Sequence, residues 1–255
     1  MSSVYFFEKG SGQPVVLIHG FCEIGAMWED FTQELSKDFR VLCLDLPGFG
    51  KSPLPKPQIS LEETAVMLEE WMEEHSIQDP VIIGHSLGGY VALALLELMG
   101  SKIRGIGLFH STAFADDAGK KQMRNRTIQF LKKFGAEKFV SSFVPPLFSE
   151  KHREEFASEI EQATEQAKQS SLEGLIAFTE AMRDRKDRFE VLKNFQGPKL
   201  MIAGTEDGAV KIESSRRQKE AFTHYYELEG TGHMGMIEEK ERTLNLVKGF
   251  CLEFP

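Results

Sequence analysis

The chain has 255 residues, 41% of them apolar, and a net charge of −9, which fits one large globular α/β domain or two small ones. The acidic balance argues against binding a phosphate backbone, which takes clustered Lys and Arg. Three cysteines (Cys22, Cys43 and Cys251), odd in number and without metal-ligand spacing, point to free thiols in a reducing compartment.

Val4 to Phe7 reads as a short strand, turned back by Lys9-Gly10-Ser11-Gly12. Its surroundings show no basic segment followed by an apolar one, so no signal peptide is expected, and cytoplasmic is the expected location. Val15-Val16-Leu17-Ile18 is a continuous apolar run, as in a strand covered on both faces. A helix is expected around Met27 to Leu35, then a buried strand, Arg40 to Leu44, and a Pro- and Gly-rich loop, Pro47 to Pro57. Ser60-Leu61-Glu62-Glu63 has the spacing of a capping box and opens a helix running to about Ser76. Val81-Ile82-Ile83 is the next strand. The elements after it are the turn Gly84-His85-Ser86-Leu87-Gly88-Gly89, a helix from Tyr90 to Met99, and a strand from Ile103 to Phe109.

From about Asp116 to Asp187 buried strand runs stop and charge-rich amphipathic stretches take over: Lys120 to Phe134, Ala136 to Phe143, His152 to Gln169 and Leu172 to Met182. The strand pattern resumes at Lys199 to Ala203. A helix near Glu213 to Phe222, a strand from Tyr225 to Leu228 and a last helix from about Glu238 to Leu252 complete the chain. Strands alternating with helices predict an α/β fold with a doubly wound, mostly parallel sheet and right-handed crossovers. The expected organisation is a core of residues 1–115 and 188–255, with residues 116–187 as a helical lid inserted between two strands. No run approaches ~18 apolar residues, so no membrane span is expected.

The turn at Ser86 is the most specific signal. A G-x-S-x-G with a strand before it and a helix after it is a nucleophile elbow, in which a tight turn exposes the serine hydroxyl and demands small residues around it. Gly84, Gly88 and Gly89 meet that demand. In a parallel sheet functional groups gather at the carboxyl ends of strands. Three more polar signatures fall there: His19 in His19-Gly20-Phe21, Asp207 in Gly204-Thr205-Glu206-Asp207-Gly208, and His233 in Gly230-Thr231-Gly232-His233-Met234. Glu206, Asp116 and Asp117 are alternative acids. His110 ends a strand near the site, His85 is expected to point away from it, and His19 is expected to order its loop. His75, His152 and His224 lie in surface-like stretches, and Cys22 fits a small buried residue better than a nucleophile. Of the phenylalanines at 130, 134, 139, 143, 148, 156 and 178, most are expected to pack lid helices together and a few to make the site apolar. Arg124, Arg126, Arg183 and Arg185 are expected to be solvated, the alternative being one that faces inward to bind a substrate carboxylate.

With these segments and Asp45-Leu46-Pro47-Gly48-Phe49-Gly50-Lys51-Ser52, the chain resembles the α/β-hydrolase fold superfamily over nearly its full length. The resemblance implies Ser86 as nucleophile, Asp207 as triad acid and His233 as general base. It also implies an oxyanion hole from the backbone N–H groups of Phe21 and Leu87, with no metal and no organic cofactor. The activity it implies first is a serine hydrolase acting on small apolar carboxylic esters. A serine at the elbow argues against the dehalogenase and epoxide-hydrolase chemistries of the superfamily, which use a carboxylate nucleophile. Members with the same triad open lactones, cleave carbon–carbon bonds or act as a lyase in menaquinone synthesis, and others are slow-turnover ligand sensors. The expected partner is a small-molecule substrate, neither nucleic acid nor membrane, and oligomeric state is not legible.

Overall fold

A computed structural model describes residues 4–253. Seven strands, β1 (Phe6–Lys9), β2 (Pro14–Ile18), β3 (Arg40–Leu44), β4 (Val81–His85), β5 (Gly105–Phe109), β6 (Lys199–Gly204) and β7 (His224–Leu228), form one sheet in the order β1-β3-β2-β4-β5-β6-β7. Only β1 is antiparallel, pairing Phe6 with Leu44 and Lys9 with Val41. The other pairings are parallel, with Ile18 beside both Leu44 and Gly84, and Phe109 beside both His85 and Ile202. The four apolar runs read from the sequence are the central strands. Val15 to Ile18, Val41 to Leu44, Val81 to Ile83 and Leu200 to Ile202 are all fully buried, because helices cover both faces.

Those helices are α1 (Glu29–Leu35), α2 (Leu61–Glu74), α3 (Leu87–Met99), α7 (Phe189–Asn194), α8 (Ile212–Arg216), α9 (Gly235–Glu238) and α10 (Lys240–Cys251). The capping box at α2 forms as expected: Glu63 N–H donates to Ser60 Oγ, and the Glu63 carboxylate accepts from Ser60 N–H. Three expected helices are cut differently. Residues Gly25–Trp28 form a 3-10 turn before α1, α8 stops at Arg216, and α9 and α10 split what reads as one helix. The short α7 was not expected.

Between β5 and β6 the chain leaves the sheet for α4 (Ala118–Phe143), α5 (Ala157–Ala167) and α6 (Leu172–Asp184). The two stretches read on either side of Gly135 are one helical element broken there, where φ is +81°. Only a residue without Cβ adopts that backbone readily, and nothing lies within 4 Å of where a Cβ would stand. Both stems of this segment are fastened. Arg185, expected to be solvated, is buried, pairing with Asp116 at 2.7 Å and donating to the Phe114 and Met182 carbonyls. Its guanidinium also lies 4.0 Å above the Tyr90 ring of α3. Arg124 holds the same Asp116 at 3.2 Å, and buried Arg188 joins Glu62 of α2 to Glu97 of α3. Among the described residues no helix is long and apolar enough to cross a membrane.

Candidate active site

Strand β4 runs straight into α3 through Ser86, whose φ of +49° and ψ of −113° are strained for a residue with a side chain. The conformation is held from three sides. Ser86 N–H donates to Phe109 O at 2.9 Å, and its own carbonyl accepts from Ser111 Oγ at 2.7 Å and from Gly89 N–H at 3.0 Å. The glycines permit the turn: a Cβ on Gly84 would fall 2.2 Å from the Gly88 backbone, and one on Gly88 would fall 2.3 Å from Ile18 O. Ser86 is partly exposed amid buried neighbours, and Leu87 opens α3, so its N–H lies at the positive end of that helix.

Asp207 sits beyond the carboxyl end of β6 and is almost fully buried, yet its carboxylate is saturated. Oδ1 accepts from the amides of Ala209 and Val210, each at 2.8 Å. Oδ2 accepts from His233 Nδ1 at 2.7 Å and from His110 Nδ1 at 3.1 Å. Burial alone would raise the pKa of this carboxyl. The charge of His233 and hydrogen bonds from both histidines overcome it and hold the group far below the ordinary carboxylate range. Burial also opposes charge on His233, but the charge and hydrogen bond of Asp207 prevail, so its pKa lies above the ordinary 6.5. The His233 ring is in turn 4.8 Å from that of His85, the residue before Ser86. The structure thus brings His233 and Asp207 into direct contact, at the elbow that carries Ser86.

The alternative acids are engaged elsewhere. Glu206 reaches outward to Ser149 Oγ and Lys151, Asp116 holds the two arginines, and Asp117 caps α4 by accepting from Lys120 N–H. His110, at the end of β5, meets Asp207. Burial drops its pKa to about 4, and its Nε2 is buried without a partner. That neutral ring adds a fourth donor to the acid. The signal available in sequence was its place at the end of β5, beside β6.

His19 orders the loop after β2 as expected. Its Nε2 accepts from Leu46 N–H at 2.9 Å, so Nδ1 carries the proton and donates to Gly20 O at 2.7 Å. As the first residue of α3, Leu87 has an N–H with no acceptor inside that helix. The Phe21 ring contacts Phe49, Phe139 and Phe143, and Phe49 contacts Phe178, so part of the segment after β5 makes this corner aromatic. A cleft of about 440 Å³ opens alongside, between α5 and the loops carrying Phe21 and His233. Cys22 and Met234 line it and Ser86 does not. Burial pushes the Cys22 thiol well above its usual pKa, so it is a poor nucleophile. Of the remaining histidines, His75 bonds the Trp71 carbonyl, and His152 and His224 pair with Glu238 and Glu253.

The chain is similar to several known proteins. A pimeloyl-[acyl-carrier protein] methyl ester esterase of Vibrio cholerae is 42% identical over 90 residues, 35% of this chain and 33% of that protein. A 2-hydroxy-6-oxo-6-(2'-aminophenyl)hexa-2,4-dienoic acid hydrolase of Metapseudomonas resinovorans is 22% identical over 254 residues, 96% of this chain and 86% of that protein. The matched region is a third or less of each of two curated relatives, the Vibrio esterase and a nematode abhydrolase domain-containing protein, and 63% of a Pseudomonas putida acetyltransferase component. Among solved structures, a thermophilic esterase from Thermogutta terrifontis superposes with a TM-score of 0.92 at 25% identity, covering 98% of this chain and 93% of that one. An enol-lactonase from Burkholderia xenovorans gives 0.89 at 22%, covering 98% and 96%. The family profile described as alpha/beta hydrolase fold matches residues 13–240, and the chain belongs to that family.

Proposed function

We propose that the protein is a serine hydrolase of small apolar carboxylic esters, working through an acyl-enzyme on Ser86, His233 and Asp207, with residues 116–187 as a lid over the site. The observation that carries this reading is the buried Asp207–His233 hydrogen bond beside a serine held at positive φ. The hydroxyl is a poor nucleophile until a neutral imidazole takes its proton. Asp207 fixes the His233 proton on Nδ1, which leaves Nε2 with its lone pair for Ser86. As the serine oxygen attacks the ester carbonyl, the C=O electrons move onto oxygen, and the N–H groups of Phe21 and Leu87 receive that charge. Collapse expels the alkoxide, which leaves with the proton held on His233. Water then repeats the cycle and releases the acid.

An apolar substrate is favoured by the phenylalanine box around Phe21. Carboxylate-bearing substrates, such as the one in the name of the M. resinovorans relative, would want a free cation, and Arg185 and Arg124 are both engaged with Asp116. The test is fluorophosphonate labelling with turnover of short p-nitrophenyl esters. Labelling should map to Ser86, and Ser86→Ala should lose both labelling and turnover. Ester hydrolysis by Ser86→Ala within tenfold of the parent would refute the assignment.

A further inference from the structure

A second carboxylate–imidazole pair lies beneath the first. Glu23 and His85, 62 residues apart in sequence, are both buried, and Glu23 Oε2 is 2.9 Å from His85 Nδ1. The same oxygen accepts from Gly20 N–H at 2.5 Å. On the other side of the ring, His85 Nε2 is 3.0 Å from the backbone carbonyl oxygen of His233. A backbone carbonyl only accepts, so His85 Nε2 donates to His233 O, while Nδ1 and Glu23 Oε2 share a proton between them. Burial would raise the Glu23 pKa, and the charge and hydrogen bond of His85 bring it below its usual value instead. The pair also needs Gly20 bare: a Cβ there would fall 2.7 Å from both Glu23 Oε2 and His85 Nδ1.

The four groups in this chain come from three segments: the loop that carries Phe21, the end of the strand that delivers Ser86, and the loop that carries His233. We propose that Glu23 and His85 are positioning residues for hydrolysis, fixing the Phe21 amide and the His233 imidazole relative to Ser86. The proposal rests on the triad reading but assigns a different task to different residues. Neither side chain needs to touch substrate. Glu23 draws in the loop one residue before the oxyanion donor, and His85 fixes the backbone that carries the base. Their loss should therefore be felt where charge develops on the substrate oxygen, not in ground-state affinity.

The test is kinetic. Glu23→Ala and His85→Phe should each lower kcat roughly 10²-fold, the scale of losing one oxyanion donor, with KM within about threefold of the parent. Affinity for an alkyl boronic acid, whose adduct places an oxygen in the same hole, should fall in step with kcat. Glu23→Gln keeps an acceptor for Gly20 N–H and should recover most of the loss. A fall in melting temperature with kcat and boronate affinity within threefold of the parent would overturn the proposal, leaving the pair a packing feature. If the variants fold poorly, nitrogen-15 spectra of the parent protein decide instead. The ring nitrogens of His85 should shift when the boronate binds, and ring nitrogens that stay unmoved would overturn the proposal. Turnover that survives in Ser86→Ala is a separate failure, of the triad reading itself.

Discussion

Replacing Asp207 by Asn exchanges one oxygen for NH2 at the point where four donors converge. The amide oxygen is best spent on the Ala209 and Val210 N–H groups, which both bond Oδ1. The NH2 then faces His233 Nδ1 and His110 Nδ1, where the carboxylate accepted at 2.7 and 3.1 Å. Two donors cannot pair, so each imidazole is driven to move its proton to Nε2. For the proposed mechanism that is the wrong tautomer, because the Nε2 that should take the Ser86 proton then already holds one. The expected loss in kcat is about 10⁴-fold, or about 5 kcal/mol of barrier. His110 suffers separately: its Nε2 is buried without a partner, and a proton there adds an unsatisfied donor worth about 1–3 kcal/mol of stability. Steady-state ester hydrolysis and urea unfolding of the variant read the two effects independently. Activity within tenfold of the parent would show that Asp207 is not the triad acid.

As the proposed general base His233 would have to be neutral, and Asp207 raises its pKa, so kcat/KM of the parent should climb with pH through a midpoint above 6.5 and fall on the acid side of it. In Asp207→Asn the surviving activity should have that limb shifted to lower pH, because burial then acts on the imidazole against only the weaker charges of Glu23 and Glu238; an unmoved limb would refute the coupling. Arg185→Met should cost about 3–5 kcal/mol in urea unfolding, since it leaves Asp116 short of a buried partner and the Phe114 carbonyl without its donor. A change under 1 kcal/mol would mean that Arg124 alone satisfies Asp116.

What the sequence revealed was set by local signals. The strands at Val15, Arg40, Val81 and Lys199 are bounded by the turns that end them, and their continuous apolar runs match burial on both faces. The capping box at Ser60 and the elbow glycines carry their geometry within a few residues. Features that pair over long separations left little trace. Arg185 reads as a surface cation because its neighbours are Asp184, Lys186 and Asp187; its partner Asp116 lies at the opposite stem of the insertion. His110 and Asp207 are 97 residues apart, and no spacing rule joins them. The α7 helix, six residues long, is too brief to show a period. Gly135 is the informative exception, since a lone glycine between two amphipathic stretches did mark the break.

Anchoring both stems of residues 116–187 by buried arginines limits how this part of the molecule can deform. A flap fastened at one edge swings; a span fastened at both can only bow or fold at a joint. One joint available is Gly135, about two-thirds of the way along the first helix, with Phe139 and Phe143 just beyond it against the Phe21 ring. Bending there would carry the two rings off Phe21 while leaving Arg185 and Arg188 seated.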